Sequence, residues 1–448
     1  MKKFIALASS IVVGALALSA AAAGPPSTTR VSVSSAGAQG DRDTYAAGIS
    51  ADGRYVLLNS LARNLVPGDT NDASDVFVRD RASGVTTRIS VSTGGRQANG
   101  SSGSAAMSAN GRYIVFESAA SNLVEGDTNH ASDVFLHDQA SGVTTRVSLS
   151  RTGGQANGSS GFPAISADGR YVAFSSLAPN LVRGDTNRMS DVFVRDLATG
   201  KTTRVSVNSR GRQARCNTGA CESTEPVLSV HGRYVAFQSS ATNLVPRDTN
   251  RLGDVFVRDR ATGKTTRVSV DSRGRQGGGD RTNNGSNAPA ISAKGRYVVF
   301  HSNDSNLVRG DTNGVFDIFV HDRRTGRTTR VSVSTSGAQA DQESLGAASI
   351  SADGRYVAFT SLASNLVAGD ANEITDVFLR DLATGQTTLA SLGQSGNQGD
   401  DASSAYGVAF SANDRYLAFS SWAANLVAGD TNIVPDAFVR DFGGPPAG

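Results

Sequence analysis

Seven times along this chain a short polar loop sets two aspartates and an asparagine at a fixed spacing, an array of oxygens that can hold a metal ion or organise its own backbone. The sets are Asp69, Asn71 and Asp75; Asp127, Asn129 and Asp133; Asp185, Asn187 and Asp191; Asp248, Asn250 and Asp254; Asp311, Asn313 and Asp317; Asp370, Asn372 and Asp376; and Asp430, Asn432 and Asp436. Oxygens at positions one, three and seven suit part of a calcium loop, and calcium takes roughly six to eight oxygen ligands. Position five is apolar in every copy (Ala73, Ala131, Met189, Leu252, Val315, Ile374, Val434), so carbonyls and water have to supply the rest of the shell. The other chemistry is structural: Asp and Asn accept from loop amides as Asx turns, and the last Asp caps the strand that follows. Calcium is the one cofactor the pattern puts forward, and at this level both readings stand.

Little else has the spacing of catalysis. The five histidines, His130, His137, His231, His301 and His321, fall at scattered repeat positions with no His-x-x-x-His pair and no evident nucleophile-base arrangement, and no catalytic residue is assigned. One position varies in chemistry from copy to copy, as Asn59, Glu117, Ser175, Gln238, His301, Thr360 and Ser420; Glu117 and His301 are the members suited to line a pocket. Cys216 and Cys221 are the only cysteines, close together in an irregular stretch, and in an oxidising compartment that spacing predicts a local disulfide. Formal charge is +3 on 43 basic and 40 acidic residues with no long basic tract, which speaks against a nucleic-acid partner.

The elements that must position these residues repeat with them. The first Asp of the loop returns at steps of 58 to 63 residues, the signature of units that bury surface only against their neighbours. Each unit opens on a short, Ala- and Gly-rich stretch ending in Ser-Ala-Asp-Gly or a variant, such as Ser50 to Gly53, which reads as an innermost strand and a tight hairpin turn. A second strand follows (Arg54 to Leu58), too apolar on both faces to be half exposed. After the Asp-Thr-Asn loop comes a third strand (Asp75 to Asp80), then a Gly turn and a fourth, alternating Thr-Thr-Arg-Ile-Ser-Val edge (Thr86 to Val91). Arg54 and Asp80, repeated in all seven units, face each other across antiparallel strands and predict an ion pair at one rim. Gln39, Gln97, Gln155, Gln213, Gln276, Gln339 and Gln398, in the connections between units, predict hydrogen bonds from one unit to the next.

Four antiparallel strands per unit, inner to outer, make a propeller blade, and the expected fold is all-β, a seven-bladed β-propeller. The last unit stops at Asp441 without its Thr-Thr-Arg strand, which stands instead at the other end as Thr28 to Val33. That segment is expected to complete the last blade and close the ring. The pattern Ser-Ala-Asp-Gly-Arg-Tyr-Val-Ala-Phe, Asp-Val-Phe-Val-Arg-Asp and a Thr-Gly turn resembles the TolB-type propeller repeat, a relative of the tryptophan-aspartate repeat, over residues 28 to 441. The resemblance implies the fold. TolB has an N-terminal α/β domain with no counterpart here, and no sequence remains for the hydrolase domain that propellers cap in prolyl-oligopeptidase-like enzymes.

Residues 1–23 read as a secretory signal, with Lys2, Lys3, an apolar run from Phe4 to about Leu18, and Ala21-Ala22-Ala23 before the expected cleavage. Residues 24–441 are the propeller, with repeats starting near 44, 102, 160, 223, 286, 345 and 405, and residues 442–448 a tail. The expected protein is a monomeric, exported, non-enzymatic scaffold, periplasmic or extracellular, without a membrane span after cleavage. It binds a protein or cell-envelope polymer through the face that carries the Asp-Thr-Asn loops and the connections between blades. Two alternatives accompany this: a calcium-binding structural module, and a lyase or glycosidase with a site at the central channel.

Overall fold

The computed structural model describes residues 24–216, 221–278, 285–403, 407–444 and 446. The signal segment, part of the Cys216 to Cys221 loop, much of the Gly277 to Asn287 insertion and the start of the last repeat lie outside the described residues. Among the described residues are seven four-stranded antiparallel sheets and no helix long and apolar enough to cross a membrane. In the first blade the inner, second, third and outer strands are Thr44–Ile49, Tyr55–Ser60, Asp75–Asp80 and Val85–Arg88.

The ring closes as the sequence predicts. Ser27–Arg30 pairs with the last strand, Asp436–Asp441, with Thr28 opposite Arg440 and Arg30 opposite Phe438. The first strand thus becomes the outer strand of the seventh blade, and no blade is left without its fourth strand.

The outer strands are shorter than their alternation predicts. Pairing ends at Arg88, and Ile89 to Val91 bend away: the Ile89 and Ser90 amides both turn to the carbonyl of Val76, and Val91 bridges only to Gln97. The bend delivers Ile89 to the core and Ser90 to the loop, which a straight edge strand could not do.

The core lies between blades. Leu57, Val76, Val78 and Ile89 of the first blade pack on Ile114, Phe116 and Phe135 of the second, and the same layering recurs round the ring. Within blades two to seven a Phe of the second strand stacks on the Phe of the third, as with Phe116 and Phe135 at 5.8 Å between centroids. The turn glycines carry the inter-blade contact: Gly111 has φ +73°, and a side chain there would run into the Tyr55 ring of the preceding blade.

Candidate functional site

Antiparallel order places the Asp-Thr-Asn loops, the blade-to-blade connections and the start of every inner strand on one face. Two arrangements occupy it, one repeated and one unique.

The repeated arrangement is a buried charge cluster. Asp75, first residue of its strand, is wholly buried; it accepts from the Ser90 hydroxyl, from Asn71 Nδ2 at 3.0 Å and from Gln97 Nε2 at 3.3 Å. Asn71 turns its amide oxygen to the Ala73 N–H at 3.1 Å, the Asx turn of the structural reading. The cation is the arginine that ends the outer strand. Arg88 reaches Asp69 at 3.1 Å and Asp75 at 3.7 Å, and Arg146, Arg204, Arg267, Arg330 and Arg30 do the same for their own blades at 2.8–3.7 Å. In these six blades the chain's own guanidinium holds the place between the carboxylates, and the asparagine oxygen is engaged in its turn. The six to eight oxygens of a calcium shell are not assembled, and among the described residues no three acidic, His or Cys side chains group as metal ligands. Blade six departs: Leu389 stands where the others have Arg, while Gln398 Nε2 still donates to both Asp370 at 2.7 Å and Asp376 at 2.8 Å, as Gln39 and Gln97 do in their blades.

Burial dominates the electrostatics of the cluster. It raises Asp75, Asp133, Asp317 and Asp436 above the ordinary carboxylate value, and it pushes Asp254 and Asp311 up to about 6. The glutamines differ from expectation. Gln97 Nε2 bonds Asp69 at 2.8 Å in the blade it has just left, and only its carbonyl crosses to the next blade, accepting from Asn122 Nδ2 at 2.8 Å. Cys216 and Cys221 form a disulfide, Cα atoms 5.6 Å apart, in the connection leading into blade four.

The unique arrangement is a cavity of about 640 Å³ on the ring axis, opening on the same face. The inner strands shape its wall. Each of those in blades two to five carries a bulge whose residue has positive φ: Ser104, Phe162, Glu225 and Ala288, at +45° to +52°. The variable second-strand position faces the inner strand of the next blade, and in four blades it is stitched to that strand. Glu117 accepts from the Phe162 N–H at 3.3 Å, Gln238 from the Ala288 N–H at 3.3 Å and Ser420 from the Ala46 N–H at 2.9 Å, while His301 Nδ1 lies 3.3 Å from the Gly346 carbonyl. Each bond crosses to the following blade. Thr360 bonds within its own blade, and the Asn59 Oδ1 and Ser175 Oγ atoms are buried without a partner.

His301 and Asn59 line the cavity with Tyr45, Phe162 and Glu225, while Glu117 is spent on its stitch. Burial lowers His301, leaving a neutral imidazole at neutral pH, and raises Glu225. Glu225 escaped the sequence reading because the inner strands look like filler, and only the bulge turns its side chain to the axis. The available signal was a lone charge in a stretch that is elsewhere mostly Ala, Gly, Ser and Pro.

No family model and no curated protein matches the chain. Solved structures do. An oligogalacturonate lyase in complex with manganese is 12% identical over 92% of each chain, with a TM-score of 0.52. The β-propeller domain of the Trilobed protease from Pyrococcus furiosus, described as having an open velcro topology, is 11% identical over 89% of this chain and 93% of its own, with a TM-score of 0.51. TolB from Acinetobacter baumannii is 13% identical with a TM-score of 0.40, over 77% of this chain; the match spans 62% of TolB. The likeness is one of fold, a β-propeller.

Proposed function

We propose that this protein is an exported β-propeller that binds a protein or cell-envelope polymer through its loop-rich face, with the axial cavity at the centre of that surface. The observation that carries the reading is the distribution of exposed apolar side chains. Of seven such residues among those described, Leu61, Phe162, Leu177, Leu362 and Ile433 stand on the loop-rich face, and only Val85 and Val143 on the other. Leu61, Leu177 and Leu362 each follow the last residue of a second strand, so the scaffold presents them at equivalent places round the ring. Contacts of this kind, on variable loops held by a rigid frame, suit recognition.

The test is capture from the envelope fraction of the producing cell by three proteins: wild type, a Leu61→Asp/Leu177→Asp/Leu362→Asp variant, and a Val85→Asp/Val143→Asp control. Wild type and control are expected to retain the same partner and the first variant to lose it. Equal capture by all three, or none by wild type, overturns the reading.

A further inference from the structure

We propose that the axial cavity binds an organic ammonium group, held by Glu225 and Asn59 with the rings of Tyr45 and Phe162 as walls. This rests on the loop-rich face being the binding face in that the cavity opens there.

The first argument is the broken stitch. Second-strand side chains in blades two, four, five and seven bond across to the next blade's inner strand. In blade one the corresponding Asn59 Oδ1 is buried with no donor, and in blade three Ser175 Oγ is likewise alone. The blade that Ser175 faces is the one that carries Glu225. A buried acceptor without a partner costs free energy and is the place to look for a missing donor.

The second argument is charge. Glu225 is the one anionic residue of the described lining, which includes no lysine or arginine. Burial and the Ala288 backbone are what act on its carboxyl, and no cation stands close enough to offset its desolvation. His301 is neutral through burial, so it does not serve as counter-ion. An ammonium supplies both missing things at once, since it brings three N–H donors and a positive charge.

The third argument is shape. Apart from Ser104 and His301 the remaining wall is apolar, with Pro163, Pro226 and Pro289 from three successive inner strands, and Tyr45 makes an edge contact with Trp422 at 6.1 Å. Aromatic faces beside a carboxylate suit an alkylated cation, and the cavity volume is in the range of about 300 to 1,000 Å³ usual for small-ligand sites. An anion of the same size would sit beside the desolvated Glu225 carboxylate with no cation in the described lining to offset it.

A free amine and a lysine side chain both present this group, so the probes separate them: hexylammonium, Nα-acetyl-lysine amide, and hexanoate as the anion of equal length. Binding is read by calorimetry and by thermal shift on wild type, Glu225→Gln, and Asp168→Asn as a carboxylate control on the opposite face. Saturable binding of hexylammonium is expected, about tenfold or more weaker in Glu225→Gln and unchanged in Asp168→Asn, with none for hexanoate. Glu225→Gln without ligand should melt no lower than wild type, because it removes a buried charge that no cation offsets and keeps an oxygen for the Ala288 N–H; that measurement separates lost binding from lost fold. Lysine amide binding as tightly as hexylammonium assigns the site to a protein side chain, and weaker binding assigns it to a free amine. Hexylammonium that binds no better than hexanoate, or equally well to Glu225→Gln, or not at all, overturns the proposal. Amine binding that persists when envelope capture fails would sink the partner reading and leave this one standing.

Discussion

All seven blades pair arginine with aspartate at the turn end of the third strand and six of them at the loop end as well, and the two ends use the same residue types to opposite effect. At the turn face Arg54 meets Asp80 in a two-pronged contact at 2.9 and 2.7 Å, the arginine half exposed and laid over the Tyr55 ring. Hydrogen bonding to that guanidinium holds the aspartate well below its ordinary value, as it does at Asp196 and Asp381, each at about 2. At the loop face Arg88 lies 9% exposed on a wholly buried Asp75, and burial outweighs the arginine, so the carboxyl is raised. The rim pair joins the turn that Asp80 caps to the start of the second strand, whereas the buried cluster ties a loop, an outer strand and a connection into one unit.

The largest disturbance removes one blade's cluster and its edge together. Deleting residues 24–34 takes away the outer strand of blade seven along with Arg30 and Ser32, and should lower stability by several kcal/mol and expose an aggregating edge. Denaturant titration with an unchanged midpoint would disprove closure through this strand.

Next in size is Arg330→Leu, expected to cost about 3 kcal/mol because two buried carboxylates lose their cation. Blade six already lives with a leucine there, so Leu389→Arg should raise stability. A loss at Arg330 no greater than that of Arg296→Leu on the rim, where little change is expected, would erase the distinction between the two ends.

The two ends should also answer pH with opposite signs. Asp311 and Asp254 are raised from 3.8 to about 6, so the folded protein binds more protons than the unfolded chain between about 4 and 6, and stability falls as pH rises through that window. The rim aspartates are lowered, so what they contribute is present above about 4 and is lost as pH falls towards 2. Urea midpoints across this range should show the first slope flattened in Asp311→Asn and the second left alone. A flat profile between pH 4 and 6 in wild type would count against the buried cluster's electrostatics.

The smallest expected effect is none: chelator should leave the melting temperature where it was, because the cation between the carboxylates is part of the chain. A fall restored by calcium would indicate metal, and blade six, whose Asp370 and Asp376 have no guanidinium, is where to look first.

Much of the frame was legible in the residues. The period and the turn glycines marked the blades, Arg54 and Asp80 announced their pairing through antiparallel register, and the displaced Thr-Thr-Arg segment foretold closure. The partner of the Asp loops was not read, although Arg88 recurs almost as faithfully as Asp75. Its strand looked like an ordinary alternating edge, and nothing local says that the edge ends at Arg88 and folds back. The stitch is hidden in the sequence for a related reason. Side chains as unlike as Glu117, Gln238, His301 and Ser420 share one task only because each faces the backbone of the next blade.

What the sequence determined by itself is therefore what local chemistry controls: where strands alternate, where glycine permits a turn, how many units there are, and which end lacks a strand. The tertiary structure decided which distant groups meet, as when Arg30 joins Asp430 and Asp436 across almost the whole chain. It also decided what faces the axis. A bulge adds one residue to a strand and reverses the side to which the next side chain points, so the composition of an inner strand does not say whether Glu225 is in solvent or in the cavity. Only the assembled ring gives that carboxylate its burial, and with it the absence of a cation.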